Sequence, residues 1–396
     1  MAKTILLVGV PWSTHELTPA IRDAATLGAR LHLVDTEETL AALHPGLDCE
    51  RVPVAALDLA SVLAAARAVR PDCVVSITEL TMELAARVRE ELGHDGTPAA
   101  AERAVSDKPA TREVLRDNGL TQVRFWSTTT AELPALARTL PLPVVAKPRS
   151  LTGSAGVRMI ASVADAELLA RQYDAARSAR FGRDRLLVET YVGGVEISAE
   201  GLVVDGELTL FTLTDKVNTQ APYFVELGHL MPSRFSAGWQ PRVHGYLQRC
   251  VTALGVRTSP VHAEVKLVGD QVELIELHTR FGGDNIVALL EETFALRPFE
   301  AYFAAMLGGS APRVSRANTT WGVAFFTVPM DQAPPAGSFA FPHPEAVMRI
   351  DFDRRTPPKL REYEGVRLMY WRAGHALFAS ADYAEVLADI TFLAAP

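Results

Sequence analysis

The sequence predicts a mixed fold, α/β in its first part and α+β in the remainder, from three observations. Short apolar runs alternate with amphipathic helical patterns through residues 1–100. From Arg185 onward the pattern changes to paired β runs joined by tight turns at Asp205-Gly206 and Gly269-Asp270. A Pro-rich stretch beginning near Ala311 then leads into a β-rich tail that ends in a helix over Ala381–Ile390. Four units follow from these changes of character: 1–100, 101–185, 186–310 and 311–396. A chain of 396 residues is long enough to divide in this way.

The first element, Thr4–Val10, is a run of apolar residues too short for a secretion signal and without a small-residue cleavage site after it. It reads as a buried strand. A helix over His15–Gly28, a strand over Arg30–Asp35, a helix over Leu59–Val69, a strand over Asp72–Ile77 and a helix over Glu79–Leu92 continue the alternation, implying a parallel sheet covered on both faces. The first strand-to-helix turn carries only Gly9, so the GxGxxG dinucleotide fingerprint is absent. Beyond a turn-rich linker at Gly93–Pro98 come a helix over Asp107–Asn118 stopped by Gly119, a strand over Pro141–Lys147, a loop over Arg149–Gly156 and a strand over Val157–Ala161. An alanine-rich helix to about Arg180 follows. The β part contains Leu186–Tyr191, Val195–Val204 and Leu208–Val217, a long polar loop over Asn218–Gln240, a helix over Pro241–Leu254, and a hairpin of Val261–Val268 with Gln271–His278.

Composition narrows the function. Apolar residues at 48% and charged residues at 22% are those of a soluble globular protein. A formal charge of −8 disfavours nucleic acid and anionic membranes as partners, but leaves ATP open, since a few lysines and a metal can meet its charge locally. No run reaches the ~18–20 apolar residues of a membrane span. The isolated Cys49, Cys73 and Cys250 fit a reducing compartment, so the expected location is the cytoplasm.

Glu264 and Glu276 lie twelve residues apart on the two strands of one hairpin, in otherwise apolar surroundings. Residues so placed can face each other, and two carboxylates buried together call for a shared cation. Mg²⁺ prefers one or two carboxylates plus phosphate oxygens; two glutamates on a solvated strand face are the plainer alternative. Lys147 ends an apolar strand and precedes the Gly/Ser-rich loop Ser150–Gly156, whose backbone N–H groups could wrap phosphate oxygens. That loop is neither a Walker A motif nor a GxSxG nucleophile elbow, and an ordinary hairpin turn is the alternative. In Leu186–Ser198 a strand ends on Glu189, turns at Gly193-Gly194, and resumes with Glu196. Such a hinge can offer backbone groups and a carboxylate to an adenine edge, with the second carboxylate near a ribose.

In this order and at these spacings, the elements from about Val105 to Ala288 resemble the ATP-grasp superfamily of ligases. The resemblance implies an ATP-grasp fold behind a Rossmann-like N-terminal domain, with a small C-terminal β-rich subdomain. It implies Lys108 and Lys147 on the ATP phosphates, Ser150, Gly153, Ser154 and Gly156 in the lid, Glu189, Tyr191 and Val192 at the adenine hinge, and Glu196 at the ribose. Glu264 and Glu276 correspond to the metal ligands, for Mg²⁺ or alternatively Mn²⁺. Arg280 corresponds to the arginine on the reacting acyl-phosphate oxygens.

The polar segment Thr214–Ser233 is similar to the substrate loop of the L-amino-acid ligase branch, which makes Lys216, Glu226 and His229 candidate contacts with ATP phosphate or the amino substrates; a solvated connection is the alternative. Gly282 and Gly283 would complete the acceptor pocket. His278 departs from the asparagine common at its position; as a poor Mg²⁺ ligand it would face substrate or simply pack. The implied activity is ADP-forming ligation of a small carboxylate or amino acid to an amine, with dimers common in the family. A carboxylase of the biotin-carboxylase or purine-pathway type and a catalytically silent ATP-binding module are the alternatives.

Overall fold

Strand β1 (Lys3–Val8) is central because Ile5, Leu6, Leu7 and Val8 are all fully buried, so both of its faces are covered. Alternation sends Ile5 and Leu7 to one face, against Leu17 and Ala20 of the helix Thr14–Thr26. Leu6 and Val8 meet Val62 and Ala66 of the helix Leu59–Val69 and Val88 of the helix Met82–Leu92 on the other. β1 pairs in parallel with β2 (Ala29–Thr36) and β4 (Cys73–Val75), and β2 pairs with β3 (Glu50–Val54), giving the order β3-β2-β1-β4. In this computed structural model the described residues are 2–11, 14–149, 156–175, 185–219, 221–329, 340–352 and 370–394.

An antiparallel sheet follows, with β5 (Phe125–Thr128), β6 (Val144–Pro148), β7 (Arg158–Ile160) and β8 (Leu186–Thr190) in the order β5-β8-β6-β7. The helices Leu133–Ala137 and Val163–Ala175 bury Leu133 and Leu169 against Val144, Ala146 and Val188. The third sheet has eight strands: β9 (Val195–Val204), β10 (Glu207–Asn218), β11 (Glu226–Met231), β12 (Ser259–Val268), β13 (Gln271–His278), β14 (Thr320–Pro329), β15 (Val347–Phe352) and β16 (Tyr370–Ser380). Its order is β13-β12-β9-β10-β11-β14-β16-β15, so the β-rich tail is continuous with the large sheet. The turn between β9 and β10 has positive φ at Asp205 (52°) and Gly206 (90°), as a two-residue hairpin turn requires.

The polar stretch 218–240 is not a plain loop, because β11 runs through it between β10 and β14. Its polar residues escaped a strand reading because Glu226 and His229 join a cluster of charged side chains inside the protein rather than facing solvent. Gly228 permits the pairing: a Cβ there would sit 2.5 Å from the Val323 carbonyl oxygen and 2.6 Å from Ile390. The helices Ala99–Ser106, Ile286–Phe294 and Pro298–Met306 and the strands β3 and β5 are also absent from the sequence reading. Short strands of mixed polarity and all-round apolar helices give no clear period. The predicted helix at Glu79 begins instead with a 3₁₀ turn, Glu79–Thr81, before the α-helix Met82–Leu92.

Candidate active site

The β12–β13 register sets Glu264 directly opposite Glu276, with a bulge immediately after Glu264. Lysines from other elements reach both carboxylates. Lys108, at the start of the helix Lys108–Asp117, places Nζ 2.9 Å from Glu276 Oε1. Lys216 on β10 is buried among Glu226 at 2.7 Å, Glu196 at 2.9 Å and Glu264 at 3.1 Å. Lys266 lies 3.7 Å from Glu196, to which Asn218 also donates at 3.2 Å.

The two facing carboxylates are electrostatically unequal. Burial opposes ionisation of Glu276, but Lys108, His278 and Lys147 outweigh it and hold the group well below the usual carboxylate range. Burial pushes Glu264 up; Lys216 opposes this, while Glu226, Glu196 and Glu276 add to it. Positive charge is therefore in short supply at Glu264. Two facing oxygen donors with excess negative charge around one of them fit a hard divalent cation such as Mg²⁺.

Lys147, on β6, forms a 2.6 Å ion pair with Glu189 on β8, and both are buried. Arg112 donates to the other Glu189 oxygen and to the carbonyls of Leu274, at 2.7 Å, and Ile275, at 3.2 Å. Both Glu189 oxygens are thus turned inward, leaving the outward hinge to Tyr191 and Val192. Tyr191 is exposed and stacks on Phe224 with centroids 6.1 Å apart, while Lys266 Nζ lies 4.9 Å from its ring centroid. Val192 is half-buried beside it. Of the expected lid, Ser150, Gly153 and Ser154 lie outside the described residues; Gly156 is within them, at φ 75°.

Arg112→Ala would strand part of a buried charge network and two backbone carbonyls. The expected cost is about 3 kcal/mol, at the lower end for a broken buried pair because Lys147 still faces Glu189. A urea-unfolding midpoint close to wild type would contradict this.

Arg280, two residues beyond β13, donates to the Phe281 carbonyl and to Glu79, each at 3.0 Å. His278 places Nδ1 3.2 Å from Glu79 and Nε2 3.5 Å from Glu276, so it bridges two carboxylates rather than merely packing. Burial works against ionised Glu79, yet His278 and Arg280 prevail and hold it down at about 2. His262 stacks on His278 at 5.9 Å and meets the fully buried Glu200 at 2.8 Å. Gly282 passes so close that a Cβ would lie 2.7 Å from His262 Nδ1. The carbonyl of Gly283 accepts from Ile286 at 3.0 Å, opening the next helix. His229 is buried, and among the described residues neither ring nitrogen has a hydrogen-bond partner. Its donors lie with those of Glu226 and Asp284 within 4.8 Å of one another.

Lys108, Lys147, Lys216, Glu196, Glu226, Glu264, Glu276, His278 and Arg280 thus belong to one linked set of charges. Sequence reasoning missed Glu79, Arg112, Glu200 and His262. Arg112 carried a usable signal, standing one helical turn after Lys108. Glu79 carried none, since it comes from the distant N-terminal unit.

Residues 140–288 match the ATP-grasp domain family. The chain is 28% identical over 235 residues to carnosine synthase 1 of Gallus gallus, covering 55% of this chain and 25% of that protein. It is 26% identical over 245 residues to alanine–anticapsin ligase of Bacillus subtilis, covering 57% and 52%. The chain therefore spans about half the length, or less, of these curated relatives. The crystal structure of L-amino acid ligase from Bacillus licheniformis superposes with a TM-score of 0.76 at 20% identity, over 99% of this chain and 97% of that one. Among the described residues no helix is long and apolar enough to cross a membrane. Family match, relatives and shared fold agree: residues 140–288 match the ATP-grasp domain, and the chain as a whole is similar to ligases of the L-amino-acid ligase kind.

Proposed function

We propose that the protein is an ADP-forming carboxylate–amine ligase that activates an amino acid or small carboxylate as its acyl phosphate and passes it to an amine. The observation that carries this reading is the convergence of Lys108, Lys147 and Lys216 on the glutamate pair Glu264–Glu276, next to Arg280. Phosphoryl transfer calls for positioning and charge neutralisation rather than a protein nucleophile. Lys108 and Lys147 are suited to the ATP phosphates, and the same reading assigns the loop Ser150–Gly156 to the lid. Tyr191 and Val192 offer the adenine hinge, and Glu196 a ribose contact. Glu264 and Glu276 would hold Mg²⁺ or Mn²⁺, which supplies charge neutralisation at the phosphates when bound.

Arg280 is suited to hold the substrate carboxylate beside the terminal phosphate. Its guanidinium can bridge both groups bidentately, whereas an ammonium cannot. Lys216, Glu226, His229, His278, Gly282 and Gly283 supply the surroundings of the carboxylate and the amine. The ligases among the relatives support the same reading, with small-molecule substrates and a cytoplasmic location, and with the oligomeric state, a homodimer included, left open.

In this route a carboxylate oxygen attacks the terminal phosphorus and ADP leaves. The amine then attacks the carbonyl carbon, loses a proton, and expels phosphate carrying the former carboxylate oxygen. A heavy-oxygen label in the substrate carboxylate should therefore appear in inorganic phosphate. Label in AMP would mean adenylation instead. Phosphate release over a panel of amino acids and carboxylates, run with and without bicarbonate, separates ligase from carboxylase. A silent ATP-binding module would release none.

A further inference from the structure

Thr279 stands between His278 and Arg280 and is itself buried. Its two neighbours both reach Glu79, whereas its own hydroxyl donates to Glu102. Its carbonyl accepts from Ser259 Oγ at 2.7 Å, so the residue is held at side chain and backbone alike. Glu102 comes from the helix Ala99–Ser106, which runs through Asp107 into the helix that opens with Lys108. The Glu102–Thr279 bond therefore ties the segment carrying Lys108 to the segment carrying Arg280.

Packing alone does not call for a carboxylate at this position. Glu102 is 1% exposed, and among the described residues its Oε1 has no hydrogen-bond partner. Arg89 Nη2 lies 3.8 Å from that oxygen, but the same guanidinium donates to the carbonyls of Val74, at 3.1 Å, and Thr97, at 2.8 Å. Burial pushes the Glu102 carboxyl up to about 7, against Thr279 and Arg89. The group therefore lowers stability as the pH rises from the usual carboxylate range to neutrality. An apolar side chain would avoid that cost, but could not accept the Thr279 hydroxyl.

We propose that Glu102 is a positioning residue: by holding Thr279 it fixes the exit of β13, and with it the place of Arg280 at the reacting centre. This rests on the ligase reading and adds to it a residue that touches neither nucleotide nor substrate.

Phenylglyoxal, which modifies arginine side chains, reads the setting of Arg280 without any turnover. The full chain, with Mg²⁺ and a non-hydrolysable ATP analogue, is treated as wild type, Glu102→Leu, Thr279→Val and Glu102→Gln. Mass spectrometry then locates the modified arginines. Arg280 should react several-fold faster in Glu102→Leu and in Thr279→Val, which breaks the same bond from its other end should Glu102→Leu not fold. Glu102→Gln keeps an acceptor for Thr279 and should react at the wild-type rate. The exposed Arg116 and Arg138 should react alike in all four proteins, which reports an unchanged fold. In phosphate release over the panel of amino acids and carboxylates, Glu102→Leu and Thr279→Val should lose about 10- to 100-fold in kcat, the scale of a small misplacement of a reacting group. The KM for ATP should stay at the wild-type value, and Glu102→Gln should recover most of the loss. An unchanged Arg280 rate, a faster rate with unchanged kcat, or a Glu102→Gln protein as impaired as Glu102→Leu would each overturn the assignment. A faster Arg280 rate in the two variants, when even wild type releases no phosphate, would uphold the tie and refute the ligase reading alone.

Discussion

Glu276→Gln should lower turnover by about 10³-fold or more, the scale of removing a preorganised charge that acts on the reacting phosphate. The substitution keeps the shape of the side chain and removes its charge. Lys108 and His278 hold Glu276 well below the usual carboxylate range, so the wild-type group is an anion throughout the neutral range. Its partner across the hairpin, Glu264, is pushed the other way by burial and by the surrounding carboxylates. Neutralising Glu276 therefore removes the better-ionised half of the candidate metal pair. Lys108 also loses its counter-ion, freeing it to hold nucleotide in an unproductive position. Phosphate release measured over a range of Mg²⁺ concentrations checks the expectation, with thermal unfolding as the control for the fold. Wild-type turnover in Glu276→Gln would remove the metal pair from the proposed site.

The parts of this site that could be read in the sequence are those that one local element carries. A tight hairpin fixes which residues face each other, so Glu264 and Glu276 could be paired from their spacing around Gly269-Asp270. Lys147 could be read because a strand end and a Gly/Ser-rich loop flank it in sequence. Glu79 could not, because it reaches the site from the distant N-terminal unit, and Arg112 offered only its place one helical turn after Lys108. Glu79 meets Arg280 over 201 positions, and Arg112 meets Glu189 over 77. β11 failed for a different reason. Its Glu226 and His229 break the apolar alternation expected of a strand, because they join a cluster of charged side chains with Asp284 and Lys216. Glu189 shows a third limit: the sequence placed it at a hinge, but whether its carboxylate faces outward depends on Arg112 and Lys147 reaching it from other elements.

Arg280→Lys should cost about 10²–10³-fold in turnover, the effect of losing one well-placed donor at developing charge, while nucleotide binding stays close to wild type. The reasoning begins with what holds the side chain. Its Nη1 donates to the Phe281 carbonyl and its Nη2 to Glu79, each at 3.0 Å, so the guanidinium plane is fixed before any ligand arrives. Glu79 is itself held ionised, down at about 2, by His278 and Arg280 against the opposing effect of burial. The anchor therefore persists throughout the neutral range, and turnover should show no titration from Glu79 there. A lysine keeps the charge but has no planar fork, so it cannot hold Glu79 and still face a carboxylate and a phosphate together. The loss should fall on kcat and on the KM of the carboxylate substrate, not on the affinity for ATP, whose lysines are untouched. Steady-state kinetics with each substrate varied in turn, together with nucleotide binding by calorimetry, separates these. An Arg280→Lys protein that turns over normally, or that loses ATP affinity instead, would place this guanidinium outside the reacting centre.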